Sequence, residues 1–260
     1  MLKKIAFYFL PILLMSCVSS PLERRQVVLY SDVEMARQGE QAYRQIQQET
    51  PISSSARDTD YVQCVADHVI AALNDDDRNS AAWEVTVFDQ DQANAFALPG
   101  GKIGVYTGLF DTAVNQHQLA AVIAHEVGHV LADHSNERAS QTTIRDVSVA
   151  AAQIFGASGT ALQVLSAATQ YGIFLPFNRA QEREADSIGV LLMARAGFEP
   201  ASSITLWENM SVGAGPRPPE LLSTHPSPSS RIEDLETRLP QATILLQAAR
   251  ELGLSPDCMR

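Results

Sequence analysis

The sequence predicts an α+β fold, mainly helical, with a small β-sheet beside one buried helix. Three observations carry that class. Most segments space their apolar residues with a helical period, and the strand-like stretches are confined to residues 83–109. Residues 115–135 are apolar on nearly every side, as a helix inside a domain must be. The 260 residues contain no internal repeat and no separate second unit, so residues 31–260 are expected as a single domain.

The chain opens with MLKKIAFYFLPILLMSC. Lys3 and Lys4 precede an apolar run too short to span a bilayer as a mature helix, which reads as a secretory signal over residues 1–16. Leu14-Met15-Ser16-Cys17 resembles a bacterial lipobox, in which the chain is cut before Cys17 and that cysteine is lipidated. An ordinary signal containing a cysteine is the alternative. Residues 17–30 are then expected as a lipidated tether, anchored firmly if Cys17 carries two or three acyl chains. Val18, where an aspartate would favour the inner membrane, points to a periplasmic protein on the outer membrane.

Ser31 and Glu34 stand at capping-box spacing and open a helix. DTDYVQCVADHVIAALN is a second helix, and WEVTVFD alternates as a strand does. ANAFALPGGKIGVYTGL reads as two strands joined at Pro99-Gly100-Gly101. The spacing around Gly100, Gly101 and Lys102 is wrong for a phosphate loop. NQHQLAAVIAHEVGHVLADHS is the strongly apolar helix. Residues 147–178 carry no formal charge, but Gln153, Gln163 and Gln170 interrupt them and Gly156 and Gly159 break them. Two small-residue helices packed in the protein are expected there, with a membrane-facing or lid role for QYGIFLPFNR as the alternative.

A net charge of -11 and the lack of any long basic run argue against nucleic acid as a partner. Past the signal, two cysteines remain, Cys64 and Cys258. In an oxidising compartment they are expected to pair, tying the tail to an early helix, the alternative being two buried free thiols.

The chemistry concentrates in His125-Glu126-Val127-Gly128-His129. On a helix, positions i and i+4 share a face, so two imidazole nitrogens can meet one ion. Glu126 lies about 100° around the helix, beside the open position of a zinc site, where it can serve as general base. A third ligand six residues after His129 is excluded, because Ser135 and Ala132 stand where a histidine and a glycine are needed. His134 is expected at the surface. RAQEREADSIGVLLMARAG instead offers Glu182 as a ligand and, one turn on, Asp186 to accept a ring N–H from a ligand histidine. Glu184 points elsewhere.

With these motifs, NAFALPGGKIGVYTGL and THPSPSSR, the chain resembles peptidase family M48, whose members include HtpX-like and CAAX prenyl proteases. The likeness runs over about Tyr61 to Leu239 and is strongest to small periplasmic lipoprotein members. It implies a thermolysin-type (gluzincin) zinc endopeptidase with one Zn2+ per chain, His125, His129 and Glu182 as ligands, and Glu126 as base. Asn94, Ala95, Phe96 and Ala97 would form an exposed edge that pairs with an extended peptide; the sequence leaves edge and centre open. Implied partners are unfolded or misfolded polypeptides, the membrane through the lipid anchor, and outer-membrane assembly machinery. A chaperone with secondary proteolysis and a zinc hydrolase of one dedicated substrate are the rival functions. In the β-barrel-assembly branch an HP loop supplies a fourth zinc ligand. His225 is then such a latch, an oxyanion donor, or a turn residue, and Arg231 supports either the loop or the oxyanion.

Overall fold

The computed structural model describes residues 17–154, 159, 175–212 and 228–260. The signal segment, His225 and the middle of the uncharged stretch lie outside the described residues.

Helix α1 (Asp32–Glu49) starts as its sequence predicts. Ser31 Oγ accepts from the Glu34 amide, and the Glu34 carboxylate accepts from the Ser31 amide. Helix α2 (Ala56–Ala71) and the single turn α3 (Asp75–Asn79) are capped by Ser55 and Asn74. Strands β3 (Glu84–Phe88), β4 (Ala95–Leu98) and β5 (Lys102–Tyr106) form a sheet in the order β3-β5-β4, with β3 parallel and β4 antiparallel to β5. The β4–β5 hairpin turns on Gly100 and Gly101, both at positive φ, which residues with a Cβ adopt only under strain.

Helix α4 (Gln116–Leu131) is buried from Gln118 to His129 without a break. It packs among α2, β4, α6 (Leu175–Arg195) and α7 (Ser202–Val212). The chain leaves α4 through Ala132 and Asp133, the latter at φ 53°, and restarts in α5 (His134–Ile154). Helix α8 (Pro228–Glu251) packs on α6 and α7. The core is continuous from Val62 and Val65 on α2 through Leu119 and Ile123 on α4 to Met193, Trp207 and Leu246. Cys64 and Cys258 form a disulfide, with Cα atoms 5.8 Å apart, that holds the C-terminal tail on α2. No described helix is long and apolar enough to cross a membrane.

The segment expected as a tether is folded against the domain. Residues Cys17–Ser19 (β1) and Arg25–Val27 (β2) form an antiparallel pair. The reason is charge: Arg24 lies between the buried carboxylates of Glu137 and Glu184, at 2.7 Å from each. Two buried anions demand a cation nearby.

Candidate metal centre

Two glycines bring the centre together. An ideal Cβ on Gly128 of α4 would sit 2.9 Å from the Ala185 carbonyl oxygen of α6. One on Gly189 of α6 would sit 2.9 Å from the His125 amide nitrogen. Bare backbone at both positions lets α4 and α6 approach closely, and that approach sets Glu182 against the histidine pair.

His125 Nε2 and His129 Nε2 are 3.0 Å apart. Glu182 completes the triangle, Oε2 lying 3.3 Å from His125 Nε2 and Oε1 3.5 Å from His129 Nε2. All three side chains are buried. Ligands about 2.0–2.1 Å from a tetrahedral zinc ion stand about 3.3 Å from one another, so this donor set fits zinc in kind and in spacing. Among the described residues the other such cluster is Cys64, His68 and Cys258, whose thiols are joined to each other.

Glu126 is buried beside this triangle, and its Oε2 accepts a 3.0 Å hydrogen bond from the Ala97 amide. Strand β4 is a sheet edge, with β5 on one side only. The Asn94 and Leu98 carbonyls turn toward the β5 side, accepting from Tyr106 and Gly101. Alternation therefore turns the backbone of Ala95 and Ala97 outward along the open edge. Phe96 stacks on Phe88 and anchors the strand. Asn94 Oδ1 is enclosed, with no partner among the described residues.

Behind His125, Asp186 Oδ1 lies 3.0 Å from Nδ1. Arg231 reaches Asp186 through Nε and Nη2 at 2.6 Å each and Glu182 through Nη1 at 3.1 Å. Its guanidinium also lies 3.8 Å over the Trp207 ring. Burial pushes the His125 imidazole down, but hydrogen bonds to Asp186 and Glu182 outweigh it and raise the pKa to about 9. Burial pushes the Asp186 carboxyl up, and the charge and hydrogen bonds of Arg231 overcome that and hold it low. His129 is driven well down by burial.

The structure therefore gathers His125, Glu126, His129, Glu182, Asp186 and Arg231 into one site beside Ala97. His134 is corrected: it is fully buried, not on the surface. Its Nδ1 lies 2.8 Å from His129 Nδ1, and its Nε2 lies 3.2 Å from Glu184 Oε2. Continuing the α4 helix past its end points His134 away from the site. The turn at Ala132 and Asp133 resets that phase, and the H-x-x-x-x-H spacing across it was the available signal. Burial pushes the Glu184 carboxyl up, yet hydrogen bonds from His134, Ser20 and Arg24 bring it down to about 2.

Peptidase family M48 matches residues 56–239. The mitochondrial metalloendopeptidase OMA1 of Schizosaccharomyces pombe is 36% identical over 214 residues, covering 80% of this chain and 62% of that protein. The human metalloendopeptidase OMA1 is 34% identical over 175 residues, covering 62% of this chain and 33% of its own length. The β-barrel assembly-enhancing protease of Escherichia coli (strain K12) is 30% identical over 230 residues, covering 84% and 46% respectively. The chain thus spans between a third and two thirds of the length of these relatives.

Proposed function

Because the chain belongs to peptidase family M48, we propose that it is a zinc endopeptidase of the gluzincin type, held by His125, His129 and Glu182. The observation that carries this reading is the buried triangle of two imidazole nitrogens and one carboxylate, with Glu126 and an open strand edge beside it. A zinc ion bound there supplies Lewis acidity and lowers the pKa of the attacking water.

The chain's own residues do the rest. The Ala97 N–H holds the Glu126 carboxylate in place, and Glu126 accepts a proton from the attacking water and passes it to the leaving amide nitrogen. Asp186 fixes the His125 ring through Nδ1, and Arg231 balances the charge of Asp186 and Glu182. The outward backbone of Ala95 and the carbonyl of Ala97 take an extended peptide by main-chain hydrogen bonds along the open edge. Recognition of this kind reads little side-chain sequence and requires an unfolded segment.

The substrates we assign are misfolded or unassembled proteins of the bacterial envelope. The signal and lipobox pattern of residues 1–17 supports that location, with a lipid on Cys17, and so does likeness to the E. coli β-barrel assembly-enhancing protease. The mitochondrial relatives carry the same chemistry in another compartment.

Glu126→Gln is expected to abolish cleavage of casein while zinc content stays at one per chain; retained turnover refutes the assigned base. Rescue of an envelope defect by the same variant would favour a chaperone, and failure of the wild type to cut casein a dedicated hydrolase. For His225 we adopt the latch: His225→Ala raises turnover, whereas a fall of roughly 10²-fold or more would make it an oxyanion donor.

A further inference from the structure

The proposed reaction uses the open side of the metal centre and leaves unused a buried polar chain behind His129. Ser20 Oγ and Arg24 Nε hold the two oxygens of Glu184. Glu184 Oε2 meets His134 Nε2 at 3.2 Å, and His134 Nδ1 meets His129 Nδ1 at 2.8 Å. Arg24 is itself fixed, because its Nη1 and Nη2 grip Glu137 at 2.8 and 2.7 Å, and Gln181 donates to the same Glu137. Ser20, His134, Glu137, Gln181 and Glu184 are all buried.

Counting protons gives the chain one direction. His129 must keep Nε2 bare to act as a ligand, so in the neutral ring the hydrogen sits on Nδ1. That Nδ1–H donates to His134 Nδ1, which is therefore bare. His134 then carries its hydrogen on Nε2 and donates it to Glu184. Each donor meets an acceptor, and the chain ends on the Arg24 cation. His125 needs no such relay, because Asp186 reaches its Nδ1 directly. A ligand histidine whose second nitrogen is held binds metal more tightly than one left to rotate.

We propose that the N-terminal arm, residues Ser20–Gln26, is a working part of the metal centre: Ser20 and Arg24 hold Glu184, Glu184 holds His134, and His134 fixes His129 in the tautomer that turns Nε2 to the ion. All four are positioning residues. The arm lies outside the stretch that matches the family, residues 56–239. It also gives the arm a consequence: displacing it loosens the metal, and binding metal tightens the arm by the same factor. This inference rests on the proposed metal-ligand set.

The test measures zinc affinity by chelator competition in the full chain, together with nitrogen NMR shifts of the histidine rings, which report the tautomer. His134→Leu is expected to weaken zinc roughly 10–100-fold and to leave His129 in mixed tautomers. His134→Gln, whose carbonyl accepts and whose amide donates, recovers most of that loss. Arg24→Ala and the milder Ser20→Ala, two links beyond His134, weaken zinc roughly 3–10-fold. Should His134→Leu fail to fold, His134→Gln and Ser20→Ala carry the test. Affinity within about twofold of wild type in every folded variant, with the His129 tautomer unchanged, overturns the proposal. Glu182→Gln separates the two levels: wild-type zinc affinity there would refute the metal centre itself, whereas its loss beside intact affinity in the arm variants refutes only the arm's part.

Discussion

Replacing Arg231 by methionine isolates what one buried cation does for the metal centre. Arg231 is 1% exposed and makes two 2.6 Å hydrogen bonds to Asp186 and a 3.1 Å contact to Glu182. Methionine keeps part of the packing on Trp207 and removes the charge. Asp186 and Glu182 then lose the Arg231 charge and are left facing His125. Removing one partner of a buried ion pair costs about 3–5 kcal/mol. At about 2–4 °C per kcal/mol for a chain of this size, the metal-free protein should melt about 6–20 °C lower. Zinc changes the outcome, since a bound dication neutralises Glu182 and leaves only Asp186 uncompensated. The gap between variant and wild type should therefore narrow by about half in zinc. Differential scanning calorimetry of both proteins, in chelator and in stoichiometric zinc, measures the two gaps. Equal gaps, or a metal-free gap under about 2 °C, would refute the shared-counter-ion argument.

Gly128→Ala puts a methyl 2.9 Å from the Ala185 carbonyl and forces α4 and α6 apart, at about 1–3 kcal/mol. Zinc affinity should fall with it as Glu182 retreats, and an unchanged affinity by chelator competition counts against glycine-set spacing. Glu184 has its pKa lowered from 4.5 to about 2, so its contribution to stability is complete above about pH 4.5 and is lost as the pH falls toward 2. The stability advantage of wild type over Glu184→Gln, read from urea melts, should shrink through that window; a constant advantage would contradict it. Serine at both Cys64 and Cys258 opens a loop of 194 residues, which costs about 2–5 kcal/mol in the unfolded-chain account. Urea denaturation should show that loss while zinc content stays at one per chain.

Residues close together in sequence announced most of this centre. His125 and His129 meet because four residues make about one helical turn, and Glu182 and Asp186 share a face for the same reason. The Ser31 cap and the turn at Gly100 and Gly101 were equally legible, because both depend on local backbone chemistry. The arm was not. Arg24 finds Glu137 and Glu184 across 113 and 160 residues, and no periodicity reports a pairing at that distance. A polar residue bound for burial looks like a solvated one until its partner is known, which is why His134 reads as a surface residue in sequence.

The sequence by itself pointed to the proposed ligands and base and to the helices that carry them, since each follows from residue chemistry repeated at helical spacing. Only the tertiary structure decided that β4 is an edge, that Gly128 and Gly189 let α4 and α6 meet closely enough to join Glu182 to the histidines, and that residues 17–27 fold back onto the domain. The physical reason is that sheet order, interhelical distance and burial of charge are relations between segments. Each is fixed by which surfaces leave water together, and a single segment does not contain that information.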